Sequence, residues 1–165
     1  MQPSTSQPTV PGWKLNFAAG FVPLAAGLTT LLTTWIGVAA RTNSPWWTGL
    51  GTLDFSYSDL SRAGLDAPAW TQLSGSVGGV NIVAGAVAVI VVARFGLRDG
   101  QRWAWWFLAF SFVWVGLHDA IMATRFFAAT GQPLMVLPYS YCVLMLAGLA
   151  RSRRTAFAAP AESRM

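Results

Sequence analysis

The sequence contains long stretches without a single charged side chain. No charge occurs between Lys14 and Arg41, and none between Asp66 and Arg94. Each stretch exceeds the roughly 20 apolar residues that cross a bilayer as one helix. Such stretches fold as helices in lipid, because their backbone polar groups must bond within the segment. Only 10% of the residues are charged, against about 25% in a soluble domain, which predicts an integral membrane protein.

Four membrane spans are predicted from the apolar runs and from the polar turns that separate them. The predicted fold is an all-α, up-down four-helix bundle over residues 14–151. Residues 1–13, rich in Pro, Ser and Thr, and the polar segment 152–165 are predicted to be flexible tails. The helices are expected near residues 15–39, 68–93, 103–125 and 134–150.

The connection between the first two spans, residues 41–67, is long and aromatic. It contains Trp46, Trp47, Phe55 and Tyr57. Aromatic side chains at this density are typical of a membrane–water interface, and loops of this length without a role are uncommon. We therefore expect an extracytoplasmic interfacial segment that lies on the membrane surface and caps the bundle.

The basic residues predict the orientation of the chain. Three of them, Arg41, Arg62 and Arg125, fall on one side of the predicted membrane. Eight fall on the other side: Lys14, Arg94, Arg98, Arg102, Arg151, Arg153, Arg154 and Arg164. The positive-inside rule then places both termini in the cytoplasm and the protein in the inner (plasma) membrane. The net charge of +5 thus reflects orientation and attraction to anionic lipid, and no nucleic-acid partner is expected.

The turn between the second and third spans has a recognisable pattern. Residues 98–106 read Arg-Asp-Gly-Gln-Arg-Trp-Ala-Trp-Trp. This resembles the Arg-x-Gly-x-Arg-Trp-Ala-Trp-Trp turn of small bacterial four-helix membrane proteins of uncharacterised function. The resemblance implies the four-span layout and carries no activity, because arginines at the headgroups and tryptophans just inside them define topology.

Small residues form one face of the second span. Gly75 and Gly79 are spaced as Gly-x-x-x-Gly, and Gly85 extends the face. Small residues let helix backbones approach closely in lipid. Packing inside the bundle is the preferred interpretation, and a dimer face is the alternative.

The third span holds the most informative polar residues. His118 and Asp119 are ionisable groups inside a membrane helix, a costly arrangement that points to a functional site by default. Heptad spacing places Ser111, His118, Met122 and Arg125 on one face of an α-helix. Asp119 is expected to pair with Arg125 or Arg62 if the cluster is structural.

Three further polar residues are expected to join this cluster from neighbouring spans. Asn81 lies at a similar depth in the second span, and Tyr139 and Tyr141 lie near the start of the fourth. In one interpretation the hydrogen bonds only hold the helices together. In the other, the cluster lines an outward-opening pocket and binds the polar head of a lipophilic molecule.

Several chemistries are disfavoured by the residue inventory. Cys142 is the single cysteine, so neither an intramolecular disulfide nor thiol exchange within the chain is expected. One histidine cannot supply both axial ligands of a haem, no three-ligand zinc set is visible, and no cofactor is expected. The preferred function is a non-catalytic accessory or scaffold subunit, or a small homo-oligomer. A binder of or enzyme for a lipophilic ligand, a dimeric proton-coupled exporter and a pigment or haem protein are the alternatives.

Overall fold

The fold is built from helices that follow the apolar runs of the sequence. A computed structural model describes residues 9–39, 64, 67–131 and 133–158, and these contain four helices and no strand. The predicted interfacial segment 41–67 lies outside the described residues except for Gly64 and Ala67, as do residues 1–8 and 159–165 of the predicted tails. The helices are α1 (Trp13–Ala39), α2 (Ala67–Val91), α3 (residues 102–130) and α4 (Val136–Ala156).

Two of the helices contain a wider, π-helical turn that the sequence analysis did not predict. α2 continues past Val91 as the π-helical turn Val92–Leu97. α3 has α-helical ends, Arg102–Ser111 and His118–Thr130, joined by the π-helical turn Phe112–Leu117. A π turn holds one residue more than an α-helical turn, so it shifts by one the residues that face a given side after it.

The helices at the C-terminal half of the chain are longer than predicted. α3 passes Arg125 and ends at Thr130, where Gly131 adopts a φ of 71° and donates its N–H to the Phe127 carbonyl at 2.7 Å. α4 does not stop at residue 150 but continues through three arginines to Ala156. Arginine is a good helix former. The three arginines therefore mark the end of the apolar segment, but the helix continues through them.

α1 and α2 form the most extensive contact of the fold, and they run antiparallel. Gly27 of α1 lies against Val83, and Gly79 of α2 lies against Leu31. A methyl group on Gly79 would come within 2.8 Å of the Leu31 side chain. The two backbones therefore approach as closely as glycine allows, which maximises van der Waals contact.

α4 packs antiparallel on α1. Gly148 of α4 lies directly against the Asn16 side chain, which is fully buried. Met145 and Leu149 lie beside it in the buried core. α1 thus sits between α2 and α4 at the centre of the molecule.

The chain turns tightly between α2 and α3. Gly100 has a φ of 76°, and Gly96 lies against Ala104 across the turn. Val10, before α1, is buried and donates its N–H to the Arg98 carbonyl at 3.2 Å. The described part of the predicted N-terminal tail therefore docks on this turn, because Val10 offers an apolar side chain and a free backbone donor.

Apart from Arg125 of α3, the basic residues of the four helices gather at one end, here called the arginine-rich end. It includes one acid, Asp99, among the described residues. Its seven cations are Lys14, Arg94, Arg98, Arg102, Arg151, Arg153 and Arg154. The other end of the helices is called the opposite end.

The outside of the molecule is apolar. Leu32 is 62% exposed and Trp114 is 69% exposed. Three helical segments among the described residues are long and apolar enough to cross a membrane: Trp13–Leu32, Leu73–Leu97 and Arg102–Ala128. A soluble protein buries such surface because exposed apolar patches of this extent aggregate, so the chain is a helical membrane protein.

Candidate functional site

The π turn of α3 decides which residues of its second half face α4. Leu108 and Ser111 are buried before the turn, Gly116 is buried within it, and Ala120 is buried after it. An unbroken α-helix would place Asp119, eight residues after Ser111, on the buried face. The extra residue instead brings Ala120 to that face and leaves Asp119 exposed.

His118 and Asp119 form a polar pair on the outside of α3. The His118 Nδ1 atom lies 3.5 Å from the Asp119 Oδ1 atom, and their side chains are 70% and 56% exposed. Their helix neighbours Trp114 and Ile121 are exposed apolar side chains. His118 lies about 24 Å along the helix from Arg102, at 1.5 Å per residue, which is within the ~30 Å of a hydrocarbon core. A hydrogen-bonding pair thus stands exposed beside apolar side chains on the outer face of α3.

The heptad spacing predicted that Ser111 and His118 share one face of α3, but in the structure they lie on different faces. The Ser111 hydroxyl is buried and lies 2.8 Å from the Tyr141 hydroxyl of α4. The prediction was wrong because it assumed 3.6 residues per turn throughout α3, and the π turn separates the two residues. Met122 is half-buried and Arg125 exposed, both on the α-helical segment that begins at His118.

Tyr139 joins α3 through a second hydroxyl pair nearer the opposite end. The Thr124 hydroxyl donates to the Ala120 carbonyl at 2.7 Å, and its oxygen lies 3.1 Å from the Tyr139 hydroxyl. Because the single proton of Thr124 is already used, Tyr139 is the donor in this pair. Tyr139 and Tyr141 therefore connect α4 to α3.

Asp119 lies close to the buried contact between α3 and α4. Its carboxylate is within electrostatic range of the Tyr141 hydroxyl and of the Cys142 thiol. Its ion-pair partner among the described residues is His118. Arg62, one of the two predicted partners, lies outside the described residues.

Asn81 is not brought to this cluster by the contacts of the described residues. Its side chain is exposed on the outside of α2. α2 contacts α3 chiefly at the arginine-rich end, where Gly96 meets Ala104, and α1 occupies the inner face of α2. The similar depth of two residues does not determine whether their faces meet.

The small residues of α2 divide between two faces. Gly75 lies against Thr34 and Gly79 against Leu31, both on α1. Around Gly85 there is open space. The Gly-x-x-x-Gly pair is therefore used inside the chain, whereas Gly85 lies on an open surface.

The chemistry available at the pair is hydrogen bonding and proton exchange between an imidazole and a carboxylate. Within the described ranges, no group of three His, Cys, Asp or Glu side chains is placed to hold a metal ion. The hydroxyls nearest to the pair are engaged with each other, as Ser111 is with Tyr141. The pair is thus best equipped to bind a complementary polar surface.

Comparison with models of protein families, with curated proteins and with solved structures finds no match to this chain. The residues of the site are therefore the basis for a functional proposal.

Proposed function

We propose that this chain is a small, non-catalytic membrane subunit that associates with a second copy of itself through the exposed face of α3 around His118 and Asp119. In this proposal the four helices cross the plasma membrane as an up-down bundle. The arginine-rich end, with both termini, faces the cytoplasm. The antiparallel contacts of α1 with α2 and of α3 with α4 support the up-down arrangement.

One observation carries the proposal: an imidazole and a carboxylate stand exposed beside the apolar side chains of Trp114 and Ile121. Asp at the centre of a membrane helix costs about 2.5–3.5 kcal/mol, which is an upper bound for Asp119 because it lies in the outer third of the predicted core. Ionisable side chains in membrane helices almost always face protein or water for this reason. A partner that covers His118 and Asp119 removes this cost.

A second copy of the chain fits this face, because the pair is self-complementary. In a two-fold dimer, if one residue of the first protomer contacts a second residue of its partner, the same contact forms again with the protomers exchanged. His118 of one protomer can then donate to Asp119 of the other, and the reverse bond forms by symmetry. The two residues are adjacent in sequence, so the depths of donor and acceptor match within about 1.5 Å. Interhelical hydrogen bonds in membranes contribute about 0.6 kcal/mol each, and the apolar neighbours add packing.

The oligomeric state in a lipid nanodisc tests the proposal. Native mass spectrometry of the wild type is expected to show a dimer, and Asp119→Asn with His118→Leu is expected to shift it toward monomer. Asn81→Ala is the matched control, since it removes an exposed polar side chain from α2. A monomeric wild type, or equal dimer fractions in the two variants, would overturn the proposal.

A lipophilic ligand with a polar head is the second candidate occupant of this face. The hydroxyls of Thr124 and Tyr139 form an exposed pair one turn beyond Asp119, so the same surface can hold a headgroup. The mass spectrum separates the two occupants. A monomer that retains an added non-protein mass, and loses it in Asp119→Asn, would identify the ligand-binding function instead.

A further inference from the structure

A second built site lies at the arginine-rich end, on the outside of α1 and α2. The guanidinium carbon of Arg94 lies 5.5 Å from the centre of the Trp13 ring and 5.6 Å from the centre of the Phe95 ring. The guanidinium carbon of Arg98 lies 5.7 Å from the same Trp13 ring. Two cations therefore share one indole, an arrangement in which they repel each other while each is attracted to the ring.

Arg94 has a donor that the protein leaves unused. Its Nη1 atom is buried and has no hydrogen-bond partner among the described residues. No carboxylate of the described residues forms an ion pair with Arg94 or Arg98. A buried charged donor without an acceptor is costly, and an anion beside the half-buried Arg94 side chain would reduce that cost. Arg102 differs, because it reaches the Ala158 carbonyl at 3.5 Å.

The backbone holds these arginines in place. Arg94 lies within the π turn Val92–Leu97, and Arg98 donates its N–H to the Ala93 carbonyl at 3.1 Å to close that turn. The Arg98 carbonyl accepts the Val10 N–H. The backbone at the site is therefore held by its own hydrogen bonds, and an anion would have to order only the two arginine side chains.

Apolar side chains continue from the site along both helices. Trp13, Phe17 and Phe21 follow one another edge to face on α1, with centroids 5.8 Å and 5.2 Å apart. On the antiparallel α2, Val87, Val91 and Phe95 are all exposed. Their spacing of four residues places these three on one stripe, which starts at Arg94. The surface thus offers a cationic head followed by apolar side chains over about two helical turns.

We infer that Arg94, Arg98 and Trp13 bind the headgroup phosphate of an anionic phospholipid whose acyl chain lies along Phe17 and Val91. The planar guanidinium group matches the geometry of a phosphate oxygen pair. Tryptophan sits at headgroup level in membranes, and the apolar side chains that continue from it can contact an acyl chain. The orientation proposed above makes this an inner-leaflet lipid, but the site itself requires no particular orientation and no dimer.

Lipid retention in nanodiscs of phosphatidylglycerol diluted into phosphatidylcholine tests the inference. Native mass spectrometry is expected to show retained phosphatidylglycerol on the wild type. Arg94→Gln with Arg98→Gln removes charge-assisted hydrogen bonds to the phosphate in addition to two charges, so retention is expected to fall by more than the roughly 30-fold that two surface charges account for. Arg153→Gln with Arg154→Gln removes the same charge from exposed positions of the same end. Equal losses in both double variants would show nonspecific attraction and overturn the inference.

Two further arms make the test specific. Arg94→Lys with Arg98→Lys keeps the charge and the fold but not the fork geometry, so retention is expected to fall several-fold. Retention equal to the wild type would exclude the assigned guanidinium contacts. Inorganic phosphate is expected to leave the lipid bound, since it lacks the acyl chain. Displacement of the lipid by millimolar phosphate would assign the site to a free anion instead.

Discussion

The hydroxyl groups of Ser111 and Tyr141 lie 2.8 Å apart in the buried contact between α3 and α4. Both side chains are buried. Ser111 is the last residue before the π turn of α3, and Tyr141 lies in the second turn of α4. Since each group would otherwise be unsatisfied in an apolar environment, this bond specifies how α3 is seated on α4. It also leaves Tyr141 unavailable to the exposed pair at His118.

Ser111→Ala and Tyr141→Phe are each expected to lower the free energy of unfolding by about 1 kcal/mol. Each substitution removes one buried hydroxyl and leaves the other without its partner. The double variant should cost less than the sum of the two. A coupling near 0.6 kcal/mol is typical of interhelical hydrogen bonds in membranes. Unfolding in mixed detergent measures the three values, and strict additivity would show that the hydroxyls do not interact.

Gly116→Ala is expected to loosen the contact between α3 and α4. The added methyl group would come within 2.9 Å of the Tyr141 ring and 3.1 Å of the Cys142 sulfur. Overpacking of this kind costs about 1–3 kcal/mol. Gly85→Ala is the control, since the space beside Gly85 is open. Thermal denaturation in detergent should lower the midpoint for Gly116→Ala and leave it unchanged, or slightly raised, for Gly85→Ala.

Gly79→Leu is expected to separate α1 from α2 at their closest approach. Leu31 of α1 lies where the new side chain would stand, and neither backbone can retreat without losing its neighbouring contacts. We expect a destabilisation of at least about 1–3 kcal/mol, together with reduced yield from membranes. Gly85→Leu tests the alternative that the small residues serve an oligomer. Dissociation of a dimer by Gly85→Leu, with no effect of Gly79→Leu on stability, would contradict the contacts described here.

The positions of the helices could be predicted from the sequence because charged residues are almost entirely excluded from the segments that cross lipid. The run after Lys14 and the run after Asp66 each became one helix. The ends were less predictable, because arginines in α4 are tolerated in the helix beyond the apolar run. Solvent preference governs which residues cross lipid, whereas helix termination depends on caps such as Gly131.

The face presented by His118 could not be predicted, because nothing in Phe112–Leu117 marks a π turn. The segment contains no proline, and its glycine occurs within the turn as it could within an ordinary helix. The pattern of Leu108, Ser111 and Asp119 suits an unbroken α-helix equally well. Packing determines where the extra residue is accommodated. The π turn places Gly116 against Tyr141, and a larger residue at position 116 would not fit there. A contact between residues this far apart in the chain cannot be predicted from the spacing of apolar residues.

Disulfide trapping maps the proposed dimer face. In a Cys142→Ala background, Ile121→Cys places a thiol beside His118 on the exposed face of α3. Oxidation in membranes is expected to link two copies of the chain through it. Val80→Cys, equally exposed but on α2, is expected to remain unlinked. Trapping through Val80→Cys alone would place the interface on α2 and remove His118 from it.

Deletion of Val113 tests whether the π turn absorbs one extra residue of α3. Removing one residue from Phe112–Leu117 is expected to convert the π turn into an α-helical turn. The buried residues Ser111, Gly116 and Ala120 would then follow one another at the four-residue spacing of one α-helical face, so Asp119 would stay exposed. We expect the deletion to retain the disulfide trapped through the cysteine at Ile121, as does Val113→Ala, which keeps the length. Circular dichroism should show the same helix content in both proteins. Loss of trapping in the deletion alone would mean that the π turn does not absorb an extra residue of α3.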